Sequence, residues 1–259
     1  MLRIIKNDTT FAPLMYSRFH QLRQHHGSMC SGTNWIRKAC EVFVSGCWEE
    51  LSIETEIEFQ WAADNKKTCF TFMSISQEKK IFNNAVGLDS GYGTEWGKEG
   101  QPSSCVEPIH VLWAGITCNP LSNKNVNRRH AIENAAVNTV TEVTMNAVTD
   151  FAGSTLFNKK LRLICSENIK NFLGWSSGVE SCYDSLNTKL RACRPHAFEG
   201  VHEIFASEDF SLPQTRHRVH MSHGRSDNKI DPVMQASSYA SAHKPLWKLM
   251  KWQALRGSR

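Results

Sequence analysis

Cys118 follows the apolar run Trp113-Ala114-Gly115-Ile116 and lies in the turn Thr117-Cys118-Asn119-Pro120-Leu121-Ser122. A thiol just past the carboxyl end of a strand sits where open α/β sheets place ligands, because the crevice beyond the strand ends is lined by loops. As a thiolate it is a nucleophile. The competing reading is a buried cysteine that does no chemistry, the commoner case for this residue type. Two downstream segments bear on the choice. Leu161-Arg162-Leu163-Ile164-Cys165-Ser166-Glu167-Asn168-Ile169 is a short apolar run that ends in a carboxylate and an amide, the pattern of a strand delivering polar groups to the same edge. The stretch Gln214-Thr215-Arg216-His217-Arg218 enters a further strand, and period-two alternation puts Gln214, Arg216 and Arg218 on one face. By itself such alternation of charge describes an exposed strand face.

A cysteine turn after one strand, Glu-Asn closing a second and Gln-x-Arg-x-Arg opening a third, in that order, resembles the cytosine-C5 methyltransferases. The residues that carry the resemblance are Thr117-Cys118-Asn119-Pro120-Leu121-Ser122, Glu167-Asn168-Ile169 and Gln214-Thr215-Arg216-His217-Arg218. Each interval between them has room for one helix and its loops. The resemblance covers roughly residues 40 to 225. It implies an α/β protein with the S-adenosylmethionine-dependent methyltransferase fold: a mostly parallel, Rossmann-like sheet with helices on both faces.

The same resemblance implies a cofactor end upstream: a first strand, a glycine turn for the amino-acid end of S-adenosyl-L-methionine, and an acid closing the second strand to hold the ribose hydroxyls. Glu41-Val42-Phe43-Val44 is read as the first strand and Ser45-Gly46 as its turn, with a single glycine where the family has more. Asp64 ends the apparent strand Ile57-Glu58-Phe59-Gln60-Trp61-Ala62-Ala63 and matches the ribose-binding acid. Its plainer role is a helix N-cap. Asn84, after Ile81-Phe82-Asn83, stands where the family has an aspartate near the adenine, and Thr117 completes the expected cofactor-binding set.

Implied roles follow from the reaction. Cytosine C5 is a poor nucleophile. Addition of the Cys118 thiolate to C6 converts the ring to an enamine able to take a methyl group. Negative charge then develops towards N3, where Glu167 is placed as proton donor, while Arg216 and Arg218 hold the base carbonyl and a phosphate. A stacked base cannot be reached in this way, so the target nucleotide is flipped out or already unpaired. DNA is the expected partner. tRNA is the alternative within the class, and a catalytically inactive nucleic-acid-binding homologue the alternative outside it. No match to the family's recognition region or final motifs is evident after the third motif, so the chain is read either as a truncated or divergent member or as one whose recognition comes from a partner protein or from the N-terminal segment.

Composition is consistent with these readings without selecting among them. The chain has 259 residues, 41% hydrophobic and 21% charged, with a formal net charge of +5, which permits a polyanionic partner but does not require one. Nine cysteines occur without Cys-x-x-Cys spacing, which argues against a zinc ribbon or a disulfide scaffold and for free thiols in a reducing compartment, nuclear or cytoplasmic. No apolar run has the length of a membrane span, and no metal site is expected. Three regions are read: a partly disordered extension over 1–39, despite His20, His25, His26 and Cys30; a methyltransferase-like catalytic domain over 40–225; and a basic, Trp-containing tail over 226–259.

Overall fold

The computed structural model of the protein describes residues 22–30, 32, 35–75, 78–117, 138–174, 180–206 and 217–227. Among the described residues, seven strands form one sheet in the hydrogen-bonded order β3-β2-β1-β6-β7-β9-β8. The expected α/β class, a mostly parallel sheet interleaved with helices, is the one observed. The chain divides into two compact units, Met1–Gly115 with Ser154–Arg162, and Ile116–Gly153 with Leu163–Arg259.

In the first unit the order is β1 (Leu22–Met29), α1 (Trp35–Leu51), β2 (Thr55–Ala63), α2 (Lys67–Ile75) and β3 (Ile81–Phe82). A short hairpin of β4 (Tyr92–Gly93) and β5 (Ser104–Cys105) follows, then β6 (Val111–Gly115). β1 pairs in parallel with β2 on one side and β6 on the other, and β2 pairs in parallel with β3. The strand order therefore reverses between β1 and β6, and in such sheets ligands bind beyond the carboxyl ends of the strands at that switch.

One sequence expectation is corrected here. The stretch taken as first strand and glycine turn, Glu41 to Leu51, lies inside helix α1, and the first strand is Leu22–Met29, within the segment read as an extension. The apolar positions Ile36, Cys40, Phe43, Val44, Cys47 and Leu51 recur at helical spacing. Cys47 at the centre of that stripe is fully buried. The β-branched pair Val42 and Val44 suggested a strand, but tertiary packing of the amphipathic face outweighs so local a preference.

β1 was hidden by its polarity, and its neighbours explain how that polarity is buried. The Trp113 indole donates to His26 Nδ1 at 3.0 Å, and His26 Nε2 lies 3.0 Å from Gln24 Oε1. An indole N–H can only donate, so His26 carries its hydrogen on Nε2 and donates to Gln24. Burial pushes the His26 pKa down to about 3, so the ring is neutral. Next along β1, Gly27 permits close approach: a Cβ there would lie 2.7 Å from the Trp61 ring.

The second unit contains α3 (Asn138–Gly153), β7 (Leu163–Ile169), α4 (Cys182–Arg191), β8 (Phe198–Ala206) and β9 (His217–Arg225). β9 pairs antiparallel with both β7 and β8. Val219, Met221 and His223 of β9 are buried, whereas Arg218 and His220 alternate onto the opposite face with Glu167 of β7 and Glu203 of β8. His223 Nε2 is 2.8 Å from Asn187 Oδ1 of α4. Gly200 makes room for that ring, since a Cβ there would sit 2.3 Å from it.

Candidate functional site

The two ends of the expected site lie in different units. In the first unit, the chain leaves β1 through Cys30 and Gly32, both left-handed, with φ of 52° and 67°. Only glycine adopts that conformation without cost, and at Gly32 the requirement is conformational, because a Cβ would meet nothing within 4 Å. Cys30 N–H donates to the Ala63 carbonyl at 2.8 Å, and Gly32 N–H donates to Asp64 Oδ2 at 3.1 Å. The turn after the first strand is thus tied to the acid after the second.

Asp64 lies just past β2, as the sequence predicts, and is buried. Its Oδ1 accepts from Lys66 N–H at 3.0 Å, so it caps the turn into α2 while reaching back to Gly32. Each carboxylate oxygen offers about two acceptor positions, so the two amides and the Cys69 thiol, which also hydrogen-bonds to the carboxylate, leave room for one further donor. Burial, reinforced by the Asp64 charge, pushes the Cys30 thiol up to about 12. Cys69 is raised for the same two reasons.

Ser45 and Gly46 do not join this cluster. Both are in the body of α1, where Ser45 donates to Glu49 Oε1 at 3.1 Å. The turn they were expected to form is made by Cys30 and Gly32, which sequence reading passed over. Tracing the helical period of α1 back to its start would have directed the search to the glycine ahead of the helix, Gly32. Asn84 follows β3 and is exposed, its Oδ1 accepting from Val86 N–H at 3.0 Å in an Asx turn.

In the second unit, two of the three quoted motifs touch a common framework. Glu167 and Arg218 meet side by side, with Arg218 Nε 2.5 Å from Glu167 Oε1. The antiparallel register explains this: Glu167 faces His220 and Ile169 faces Arg218, so Glu167 and Arg218 are diagonal neighbours on one face. Burial lowers the His220 pKa, with Glu167 opposing that shift and Arg218 adding to it.

Asn168 points to the other face and is almost completely buried. Its Nδ2 donates to the Ile116 carbonyl at 3.1 Å. Helix α3 holds the next residue: Thr141 Oγ1 donates to the Thr117 carbonyl at 2.9 Å, and Thr117 N–H donates to Thr144 Oγ1 at 3.3 Å. Two consecutive peptides directly before Cys118 are therefore held by side chains from two elements. Thr117, expected at the cofactor, is seen here as a backbone anchor. Cys118 and Arg216 lie outside the described residues.

Neither a family model nor a curated protein matches the chain. Solved structures similar to it include the Dnmt2 methyltransferase of S. pombe, at 12% identity over 78% of this chain and 49% of that one, TM-score 0.48. The Entamoeba histolytica methyltransferase EhMeth gives 13%, 81%, 55% and 0.47. A substituted Spodoptera frugiperda DNMT2 gives 13%, 80%, 51% and 0.49. The chain spans about half the length of these structures.

Proposed function

We propose that the protein is an S-adenosyl-L-methionine-dependent methyltransferase acting on C5 of cytosine in DNA, through a covalent bond between Cys118 and C6. The observation that carries the reading is the double use of Glu167-Asn168. Asn168 ties its strand to the peptide two residues before Cys118, and Glu167 is bound by Arg218 of the third motif. Motifs far apart in sequence are joined in the way a shared active site requires.

Cys118 adds to C6 as thiolate while the Glu167 carboxyl shares a proton with N3, removing the charge that would otherwise build on the ring. Arg218, with Arg216, orients Glu167 and the base. When bound, the cofactor supplies an electrophilic methyl group. Once C5 carries the methyl group, loss of the C5 proton to a base and expulsion of the Cys118 thiolate would regenerate the enzyme. Gly32 and Asp64 fit the cofactor's polar parts: a glycine turn for close backbone approach, and a carboxylate with acceptor capacity for a ribose hydroxyl. A partner protein that supplies target recognition and a nuclear or cytoplasmic location belong to the same proposal, and tRNA is the alternative substrate to DNA.

An inactive nucleic-acid-binding homologue is the second reading. It is favoured by Cys30 at a left-handed position in the cofactor turn and by Asp64 being already committed to two backbone amides. Incubation with 5-fluorocytosine-containing DNA or tRNA and cofactor separates the two. Fluorine cannot leave as the proton does, so an active enzyme is trapped as an adduct that Cys118→Ser abolishes. No adduct with either nucleic acid, alongside retained nucleic-acid binding, refutes the enzyme and leaves the binding protein.

A further inference from the structure

Asp64 is held by more than its carboxylate. Residues 94–96 run along the edge of β3 that faces away from β2: Asn83 N–H donates to the Thr94 carbonyl at 2.9 Å, Trp96 N–H donates to the Ile81 carbonyl at 2.9 Å, and Phe82 bridges Glu95 in antiparallel sense. This strap delivers the Trp96 indole to the end of β2. There its Nε1 donates to the Asp64 main-chain carbonyl at 2.8 Å. The ring stacks on Phe70 of α2, with centroids 5.5 Å apart and planes at 27°, and packs on the cluster of Ala62, Met73 and Ile81. Asp64 N–H meanwhile donates to the Phe82 carbonyl at 3.2 Å. Both main-chain groups of Asp64 and both carboxylate oxygens are thereby fixed, and the direction in which the remaining acceptor position points is set by four separate bonds.

We propose that Trp96 is a positioning residue for the cofactor end of the site, the strap at 94–96 holding Asp64 in the orientation in which its carboxylate receives the cofactor's ribose. The proposal rests on the methyltransferase reading of Asp64. The two aromatic side chains divide this role between them: the indole N–H fixes the peptide, and the stacked rings fix the indole.

The test uses the full chain titrated with S-adenosyl-L-methionine by calorimetry. Trp96→Phe keeps a ring on Phe70 and removes the donor. Its Kd is expected to rise about fivefold, the range for loss of one buried hydrogen bond, with KM for the cofactor rising equally and kcat at saturating cofactor unchanged. Phe70→Leu keeps the donor and removes its ring support; a smaller rise in Kd is expected, and this variant decides the matter if Trp96→Phe does not fold. An unchanged Kd in whichever variants fold, with or without a fall in melting temperature, shows Trp96 to be structural only and overturns the proposal. Absence of any binding by the unsubstituted chain is a different result: it refutes the cofactor reading of Asp64, and the positioning role with it.

Discussion

Replacing Asn168 by alanine tests the link between the second motif and the cysteine turn. Asn168 is buried, and its side chain both donates to the Ile116 carbonyl at 3.1 Å and accepts from Ile169 N–H at 2.8 Å. Removing the amide leaves the Ile116 carbonyl without that donor in a site closed to water, which costs about 1–3 kcal/mol. The small void left by the amide adds to it, giving about 2–4 kcal/mol in all. Urea unfolding measures this contribution. The functional effect is separate: with Ile116 released, Thr141 and Thr144 alone hold the peptide before Cys118, and the rate of adduct formation on 5-fluorocytosine DNA is expected to fall about tenfold or more at urea concentrations well below the transition. Stability lowered as calculated, with the trapping rate unchanged, would refute the positioning argument. A stability change below about 0.5 kcal/mol would show that the bond contributes nothing to the fold.

Three further outcomes are expected. Arg218→Ala removes a partner from Glu167, whose side chain is 45% exposed. Solvent screens such a pair, so stability should change by less than about 1 kcal/mol while adduct formation falls about tenfold or more; equal trapping rates would remove Arg218 from the site. His223 is fully buried and burial pushes its pKa down to about 4. The unfolded ring, near 6.5, takes up its proton first as pH falls, so this contribution is complete above about pH 6.5 and is lost towards pH 4. It amounts to on the order of 3 kcal/mol at most. Thermal melts from pH 7.5 to 4.5 should show a shallower decline in His223→Asn, and an equal decline would refute the assignment. Cys105 is exposed, whereas the thiols of Cys30 and Cys40 are pushed up to about 12 by burial and neighbouring carboxylates. Iodoacetamide at pH 8 should therefore label Cys105 ahead of Cys30 and Cys40 in the folded protein, as read by peptide mass spectrometry; equally fast labelling of Cys30 would contradict the burial at the Asp64 turn.

The elements that sequence reading placed well are those whose burial pattern is carried by apolar residues. β2, β6 and β7 are short apolar runs, and the acid closing β2 falls where the end of that run puts it. β1 was missed because, apart from Met29, its buried side chains are His26 and Ser28, which read as surface until the Trp113 and Gln24 partners of His26 are known. That single miss moved the expected turn to Gly46, since a turn is sought at the end of whatever is taken as the first strand, and the first strand ends before Gly32. The 94–96 strap was equally illegible. Its pairing with β3 has no periodicity of its own.

The Glu-Asn pair shows why a motif of adjacent residues tells more in a strand than in a helix. Neighbours in a strand face opposite sides of the sheet, so a Glu and an Asn placed together cannot both act on one ligand through their side chains from a regular strand. One can meet the ligand only if the other serves the interior. In this chain the half-exposed Glu167 takes Arg218 while the buried Asn168 takes the Ile116 carbonyl. Exchange of the two residues would bury a carboxylate against a carbonyl, a repulsive contact with no donor between them. The order Glu then Asn is therefore required by the pleat, and a double variant with the two residues swapped should lose both stability and trapping, whereas loss of Glu167 alone, as Glu167→Gln, should lose trapping while leaving the urea midpoint nearly unchanged.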